Sequence, residues 1–220
     1  MEGQKDVFNA ISKVFAKARD GPWPSTRRFL SRFGKRGVKR ALDVGCGSGR
    51  HIKPLLSVAE RVTAVDISEE MIKEAIKGLT DEERERVDFL VADARSLPLE
   101  DEHFDIALMV ATLHHISPRG ERLRALEELR RVLKRGGIAE ITVWWRGAER
   151  FKKGRVRWIN GEEGDAMVPW RWGLDEEVER FYHLYELEEF KEDIVKAGFE
   201  IVEIGRDGEN IYSWVRRPIL

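Results

Sequence analysis

The feature that most constrains this chain is the run Leu42-Asp43-Val44-Gly45-Cys46-Gly47-Ser48-Gly49. An apolar, β-branched stretch over residues 40–44 leads into it, and a helical stretch over 50–57 leads out. Glycines here let the backbone turn tightly and let a ligand approach with no Cβ in the way. A strand, a glycine turn and a helix in that order open a βαβ crossover, which commits the chain to a parallel sheet. The spacing narrows the ligand. A dinucleotide fingerprint reads G-x-G-x-x-G, but the glycines fall at 45, 47 and 49 and position 50 is Arg. No Gly-Lys-Ser/Thr follows, so a P-loop is absent as well. The turn departs from both pyrophosphate-binding forms.

The rest of the pattern agrees. Strands are expected over 40–44, 61–65, 87–91, 104–109 and 138–144, with helices over 50–57, 69–78 and 121–133 between them. Ahead of these, Val7, Phe8, Ile11, Val14, Phe15 and Ala18 form one helical stripe, and Gly21-Pro22-Trp23-Pro24 ends it. A short helix from Ser25 carries Phe29, Leu30 and Phe33. After Arg146 the periodicity dissolves into a charged, Trp-rich stretch to about Phe181. A helix over 186–197 and strands over 199–206 and 210–215 follow, joined by the hairpin signal Asp207-Gly208-Glu209. The expected fold is α/β: a Rossmann-like, seven-stranded, mostly parallel sheet with a C-terminal antiparallel hairpin and helices on both faces. We read 1–220 as one domain: an N-terminal helical segment (1–36), a cofactor-binding core (37–145), a substrate-facing insertion (146–185), and a C-terminal helix and hairpin (186–220).

Composition excludes several classes. Charged residues reach 36%, but 39 Lys and Arg balance 40 Asp and Glu, for a net charge of −1. Such balance suggests surface ion pairing, as in heat-adapted proteins, and argues against a globally basic nucleic-acid binder. Any RNA contact must come from local patches. A single Cys excludes a disulfide framework and a Cys-built zinc site, and no metal is expected. No apolar run approaches the roughly 20 residues needed to span a bilayer, and the first residues lack an apolar signal core. We expect no membrane association and a cytoplasmic location.

Three acids end successive strands. Asp66, in Ala64-Val65-Asp66-Ile67-Ser68, can accept both hydroxyls of a ribose. Asp43 precedes the glycines, where it can orient the loop or meet an ammonium group. Asp93, in Val91-Ala92-Asp93-Ala94, is placed to meet an adenine edge. Taken together, ALDVGCGSG, AVDIS, VADARSLPL, FDIALMVATLHH and LRRVLKRGGIAEIT resemble the class I S-adenosylmethionine-dependent methyltransferases across residues 40–143. That resemblance implies S-adenosylmethionine as cofactor. It assigns Asp43, Gly45 and Gly47 to the methionine end, Asp66 to the ribose, and Asp93 with Ala94 to the adenine, with Cys46 and Ile67 as further cofactor-binding residues.

Later motifs narrow the acceptor. Asp20-Gly21-Pro22-Trp23-Pro24, Leu113-His114-His115-Ile116-Ser117, Val168-Pro169-Trp170 and Arg180-Phe181-Tyr182-His183 look like the tRNA wobble-uridine methyltransferases. The resemblance implies methyl-ester formation on the carboxylate of 5-carboxymethyluridine in the anticodon loop of tRNA. Family members often work with a small zinc-binding activator protein. The family motif usually has Tyr where Phe181 stands, so a hydroxyl is missing here. A carboxylate is ionised at neutral pH, its ordinary pKa being about 4, so it needs positioning rather than a base. The candidates are His115, Arg180, Tyr182 and His183, with Arg27 as an outlying one. Against them stand plainer readings: one packed and one solvated histidine at 114 and 115, and a core-edge strand at 180–183.

Two basic blocks carry the RNA argument. Residues 25–40 contain seven cations and no acid; residues 146–158 contain six cations and one acid. Blocks of this kind attract phosphates by counterion release, which points to Arg27, Arg28, Lys152, Lys153 and Arg155. Tryptophans such as Trp23, Trp170 and Trp172 are core or lid residues first and base-stacking platforms second. Two rivals share the same core motifs: a methyltransferase for a small carboxylate, phenol or quinone, and a non-catalytic cofactor-binding RNA adaptor.

Overall fold

The computed structural model describes residues 2–18, 21–35, 37–152, 156–171, 173–174 and 177–220. The chain opens with helices α1 (Glu2–Ala18) and α2 (Pro24–Phe33). Then come β1 (Val38–Val44), α3 (Ile52–Leu56), β2 (Ala59–Asp66), α4 (Glu69–Lys77), α5 (Asp81–Arg84) and β3 (Val87–Val91). β4 (Phe104–Val110), a 3-10 turn (Leu113–His115), α6 (Arg119–Val132) and β5 (Leu133–Trp144) complete the core. α7 (Glu149–Lys152), β6 (Arg157–Trp158), β7 (Asp165–Trp170) and β8 (Val178–His183) follow, and α8 (Leu187–Lys196), β9 (Glu200–Asp207) and β10 (Asn210–Arg216) finish the chain.

Seven strands form one sheet in the order β3-β2-β1-β4-β5-β10-β9. All neighbouring pairs from β3 to β5 are parallel; β10 runs antiparallel to both β5 and β9. This matches the sheet expected from the sequence. Central strands are apolar on both faces because helices cover both. Along β1, Leu42 and Val44 enter one core with Met109 and Leu126, while Ala41 enters the other with Ile52 and Val62. β1 lies between β2 and β4, so the chain changes direction of travel across the sheet there. That is the switch point at which open α/β sheets leave a crevice beyond the strand ends.

The stretch after Arg146 differs from expectation. In place of irregular chain, β6, β7 and β8 make a second, antiparallel sheet of three strands. β6 and β7 carry little sequence signal, because β6 is only two residues long and β7 contains a proline, Pro169; the core-edge strand weighed for 180–183 lies in β8. Its apolar side, including Ala166, Val168 and Tyr182, packs on Trp144 and Phe151 as a third core. No helix among the described residues is long and apolar enough to cross a membrane.

α2 is anchored to the main sheet through polar groups. Ser25 N–H donates to Asp207 Oδ2 at 2.7 Å. Glu140 of β5 is fully buried beneath the helix. Ser25, Thr26 and Trp214 present their donors to it, yet no contact reaches good hydrogen-bond geometry. Burial pushes its carboxyl up to about 7 against the opposing pull of those donors and of Arg28. A folded-state value above the ordinary 4.5 means this group favours folding most at low pH, and the benefit is lost as pH rises from 4.5 through about 7. Glu140→Gln, neutral at every pH, should therefore match the parent at pH 4.5 and exceed its stability at pH 8 by at most ~3 kcal/mol. Thermal melts at both pH values check this; a variant less stable at pH 8 would refute it.

Candidate functional site

The crevice is shaped by the turn after β1. Gly45 has φ +73°, and a Cβ there would run into the Thr112 hydroxyl on the neighbouring crossing. Thr112 Oγ1 donates to Val44 O at 3.1 Å, which closes the gap between the ends of β1 and β4. Glycine at 45 is thus required by this close approach of two chain segments as well as by its backbone angle. The loop amides are committed inward. Gly45 and Cys46 N–H both donate to Val65 O, at 2.7 and 2.9 Å, and Gly47 N–H donates to Asp66 Oδ2 at 2.8 Å. With those donors occupied, this turn is no phosphate cradle, in agreement with its departure from the pyrophosphate-binding forms.

A cavity sits over this turn. Gly45, Cys46, Gly47, Asp66, Ile67, Asp93 and Ala94 all line it, as does His115. Asp66 accepts from Gly47 on one oxygen and from Ser68 N–H, at 2.9 Å, on the other. Burial raises its carboxyl and those backbone bonds pull it back, with a net upward shift. Asp93 is gripped by Arg95, whose Nη2 lies 2.6 Å from Oδ2, and Arg95 in turn reaches Glu121 at 2.7 Å. Partial burial would raise the Asp93 carboxyl, but Arg95 outweighs it and the net shift is downward. Asp43 stands behind the lining, 1% exposed, and neither of its oxygens has a hydrogen-bond partner. Burial pushes it to about 7; Arg50 lowers it and Asp66 raises it further. His51, also on the wall, is held neutral: burial, then Arg50, drive it down to about 3. A wall bearing two carboxylates, backed by an orphaned third, fits a cofactor that carries positive charge and a ribose.

α1 roofs the cavity, which the sequence did not reveal. Gln4, Phe8 and Phe15 contribute to the lining, and Phe15 tilts against Trp170 at 5.9 Å between ring centres. Asn9 Oδ1 accepts from Ser68 Oγ at 2.6 Å, tying the helix to the residue that caps α4. Phe8 and Phe15 belonged to an apolar stripe that reads equally well as core, and no local signal separates the two cases.

The acceptor candidates separate. His115 lines the cavity; Tyr182 lies directly behind it, with ring centres 4.3 Å apart, sandwiched against His114 and Trp144. Arg180 is 2% exposed, its guanidinium 4.7 Å from the Trp170 ring and 5.1 Å from Tyr182. Its Nε and Nη1 are buried without a hydrogen-bond partner. His183 is a correction to the expected acceptor contact. It is fully buried, with Asp165 at 2.7 Å on Nδ1 and Glu189 at 2.7 Å on Nε2, and it does not line the cavity. Glu162, Asp165 and His183 do bring metal-ligating atoms within 4.8 Å of one another. Arg122 already donates to Glu162 at 2.5 Å, so the cluster is charge-paired within the chain.

The basic blocks are also divided. Arg27 and Arg28 are exposed on α2, just after Trp23, whose ring lies 5.0 Å from Arg50 on the cavity wall. Lys39 and Arg40 instead open β1, at the end of the strand opposite the Gly45 turn. Arg28 has Asp207 3.9 Å away. In the second block Arg146, Arg150, Lys152 and Arg157 each pair with a Glu. This is the behaviour of a solvated, internally compensated face. Lys153, Arg155 and Trp172 lie outside the described residues. Phe151 is buried, whereas Trp158 is half exposed.

Comparison with known proteins adds a family. The methyltransferase domain family matches residues 42–141. A protein of Encephalitozoon cuniculi assigned to the methyltransferases is 33% identical over 210 residues, covering 94% of this chain and 91% of that protein. The tRNA (carboxymethyluridine(34)-5-O)-methyltransferase of Schizosaccharomyces pombe is 28% identical, covering 93% and 91%. Among solved structures, a SAM-dependent methyltransferase of Methanosarcina mazei superposes with a TM-score of 0.70 at 25% identity, over 89% of this chain and 96% of that one. A Haloferax volcanii methyltransferase in complex with the Trm112 activator has the same fold, with a TM-score of 0.70 at 17% identity over 96% and 97%.

If Asp66 holds the cofactor ribose, Asp66→Asn should weaken uptake of S-adenosylhomocysteine by about tenfold or more. Calorimetry measures this directly, and an affinity equal to the parent's would remove Asp66 from the site.

Proposed function

The chain belongs to the S-adenosylmethionine-dependent methyltransferase family, and from that premise we propose that it methylates tRNA, esterifying the carboxylate of 5-carboxymethyluridine at the wobble position. The observation that carries this reading is the Arg180 guanidinium, buried with Nε and Nη1 unpartnered. A buried cation with N–H groups left without a hydrogen-bond partner among the described residues is costly, and an entering anion would recover part of that cost. The unused N–H groups on this guanidinium are donors available to an oxyanion. Trp170 and Tyr182 hold the guanidinium plane from its faces.

When bound, S-adenosylmethionine supplies a methyl group on a positively charged sulfur, an electrophile that needs only an aligned nucleophile. Asp66 and Asp93 would hold the nucleoside in the cavity, and the Gly45 turn would face its methionine end. Phe8 and Phe15 exclude water from above. Arg180 and His115 hold the acceptor carboxylate with one oxygen toward the methyl carbon. No proton moves, since the nucleophile is already ionised and the product is an ester. His51, held neutral, takes no part in proton transfer.

The relative from Schizosaccharomyces pombe supports the tRNA assignment, since it matches nearly end to end. For RNA contact we assign the exposed Arg27 and Arg28 beside the cavity, with Lys152, Lys153 and Arg155 as the outlying patch. For an activator of the kind seen with the Haloferax volcanii protein, we assign the edge strand β3, where Val91 is half exposed. The ion-paired second block favours a small-molecule acceptor as the alternative.

Nucleoside mass spectrometry of tRNA after reaction separates the two. Gain of one methyl on carboxymethylated uridine is expected; methylation of small carboxylates with no change in tRNA would refute the tRNA reading. Arg180→Met tests the anion site. It keeps an apolar side chain of similar length in place of a buried cation, so the melting temperature should be little changed or higher, while kcat/KM falls about 100-fold or more. Retained turnover would remove Arg180 from the site.

A further inference from the structure

Phe181 lies on β8, the outer strand of the small sheet. An outer strand leaves backbone groups without a ladder partner on its open side. At Phe181 one side chain takes both. Gln4 Nε2 donates to Phe181 O at 2.9 Å, and Phe181 N–H donates to Gln4 Oε1 at 3.3 Å. The amide thus pairs with that peptide as a neighbouring strand would.

The same carbonyl meets His115 Nδ1 at 3.1 Å. A carbonyl only accepts, so Nδ1 carries a proton, and in the neutral ring the lone pair belongs to Nε2. Both lone pairs of the Phe181 oxygen are then used, one by Gln4 and one by His115. Gln4 and His115 line the same cavity, and Phe8, one turn along α1 from Gln4, meets the His115 ring edge-on at 4.9 Å. On the cofactor side, Asn9 of the same helix accepts from Ser68 Oγ, while Ser68 N–H donates to Asp66. One helix therefore touches the ribose-side carboxylate through Ser68 and the acceptor-side histidine through Phe181.

We propose that Gln4 is a positioning residue for methyl transfer: by pinning the Phe181 peptide it fixes the tautomer and ring orientation of His115. The peptide without Gln4 keeps its place in β8 on one side only and is free to tilt. A tilt of the carbonyl releases Nδ1 and lets the ring turn. Displacement of a positioning group by about 1 Å can cost on the order of 100-fold in rate. The effect falls on the chemical step, because Gln4 approaches the acceptor side while Asp66, Asp93 and the glycine turn are untouched.

The rate arm rests on the tRNA reading above; a spectroscopic arm does not. Two variants of the full chain are compared with the parent. Gln4→Glu keeps an acceptor for Phe181 N–H but turns an oxygen against Phe181 O, and Gln4→Met keeps the volume and loses both bonds. With S-adenosylhomocysteine bound, nitrogen-15 NMR of the histidine rings should show His115 protonated on Nδ1 in the parent, and mixed tautomers or protonation on Nε2 in both variants. With tRNA bearing carboxymethyluridine, kcat should fall about 10- to 100-fold. KM and the S-adenosylhomocysteine Kd should stay within about threefold, a change of less than ~1 kcal/mol. An unchanged His115 pattern in both variants overturns the assignment. So does a loss of kcat matched by an equal loss of cofactor affinity, which would mean that α1 has simply detached. A parent inactive on this tRNA but with the His115 pattern and its change as stated would discard the tRNA reading and leave the role of Gln4 standing.

Discussion

The site depends on one carbonyl. Val65 O, at the end of β2, accepts from both Gly45 and Cys46, and this double bond of donors folds the turn after β1 back onto its neighbouring strand. Gly47 then reaches Asp66, the next residue of β2. Three consecutive amides or their neighbours are thereby fixed to two residues of one strand. That lock leaves Asp66 at the cavity wall with its two oxygens oriented, and leaves Thr112 pressed against the turn from the β4 side. The parallel pairing of β1 with β2 and β4 supplies the frame; without the switch in strand order there would be no crevice for the turn to shape.

Charge is handled differently inside and outside this region. Over the surface, cations meet acids at short range: Arg131 with Glu128 and Asp101, Arg157 with Glu179, Lys134 with Asp105. Each exposed pair is worth little by itself. Deeper in, Arg122 pairs with Glu162, and His183 bridges Asp165 and Glu189. Beside the cavity the pattern breaks: Asp43 on the cofactor side and Arg180 on the acceptor side are buried with polar atoms left unpaired. In our reading one is matched by a cationic ligand and the other by an anionic one. Glu140 beneath α2 is buried in the same way, but Asp43 and Arg180 are the ones that lie beside the cavity, where a ligand can reach them.

The parallel core was legible because its signals are local and periodic: apolar strands, the glycine turn, and acids at strand ends. Gly45, Asp66, Asp93 and His115 fall where the pattern put them, since a βαβ unit fixes strand ends relative to the crevice. What stayed hidden depends on distant contacts. Gln4 and Phe181 are 177 positions apart, and only the folded chain joins them. β6 to β8 were obscured by charge and by a two-residue strand. His183 reads as an acceptor candidate because it ends the Arg180-Phe181-Tyr182-His183 motif and because histidine can hold a carboxylate. The carboxylates that claim both its nitrogens, Asp165 and Glu189, lie 18 and 6 residues away and carry no motif.

The location of α1 has an energetic consequence. Ion–dipole and charge contacts gain strength as water is excluded, so a roof of Phe8 and Phe15 makes every carboxylate beneath it count for more. Burial likewise raises the cost of an unmatched charge, which is visible in Asp43 behind the lining, pushed to about 7. In our reading a cationic cofactor relieves that cost, and an anionic acceptor would relieve the corresponding cost at Arg180. Binding the two together brings opposite charges into one dry cavity, and methyl transfer from sulfur to a carboxylate oxygen removes both at once. In this reading the products carry neither the sulfonium charge nor the acceptor's negative charge, so Asp43 and Arg180, buried beside the cavity, hold them less tightly, which favours their release.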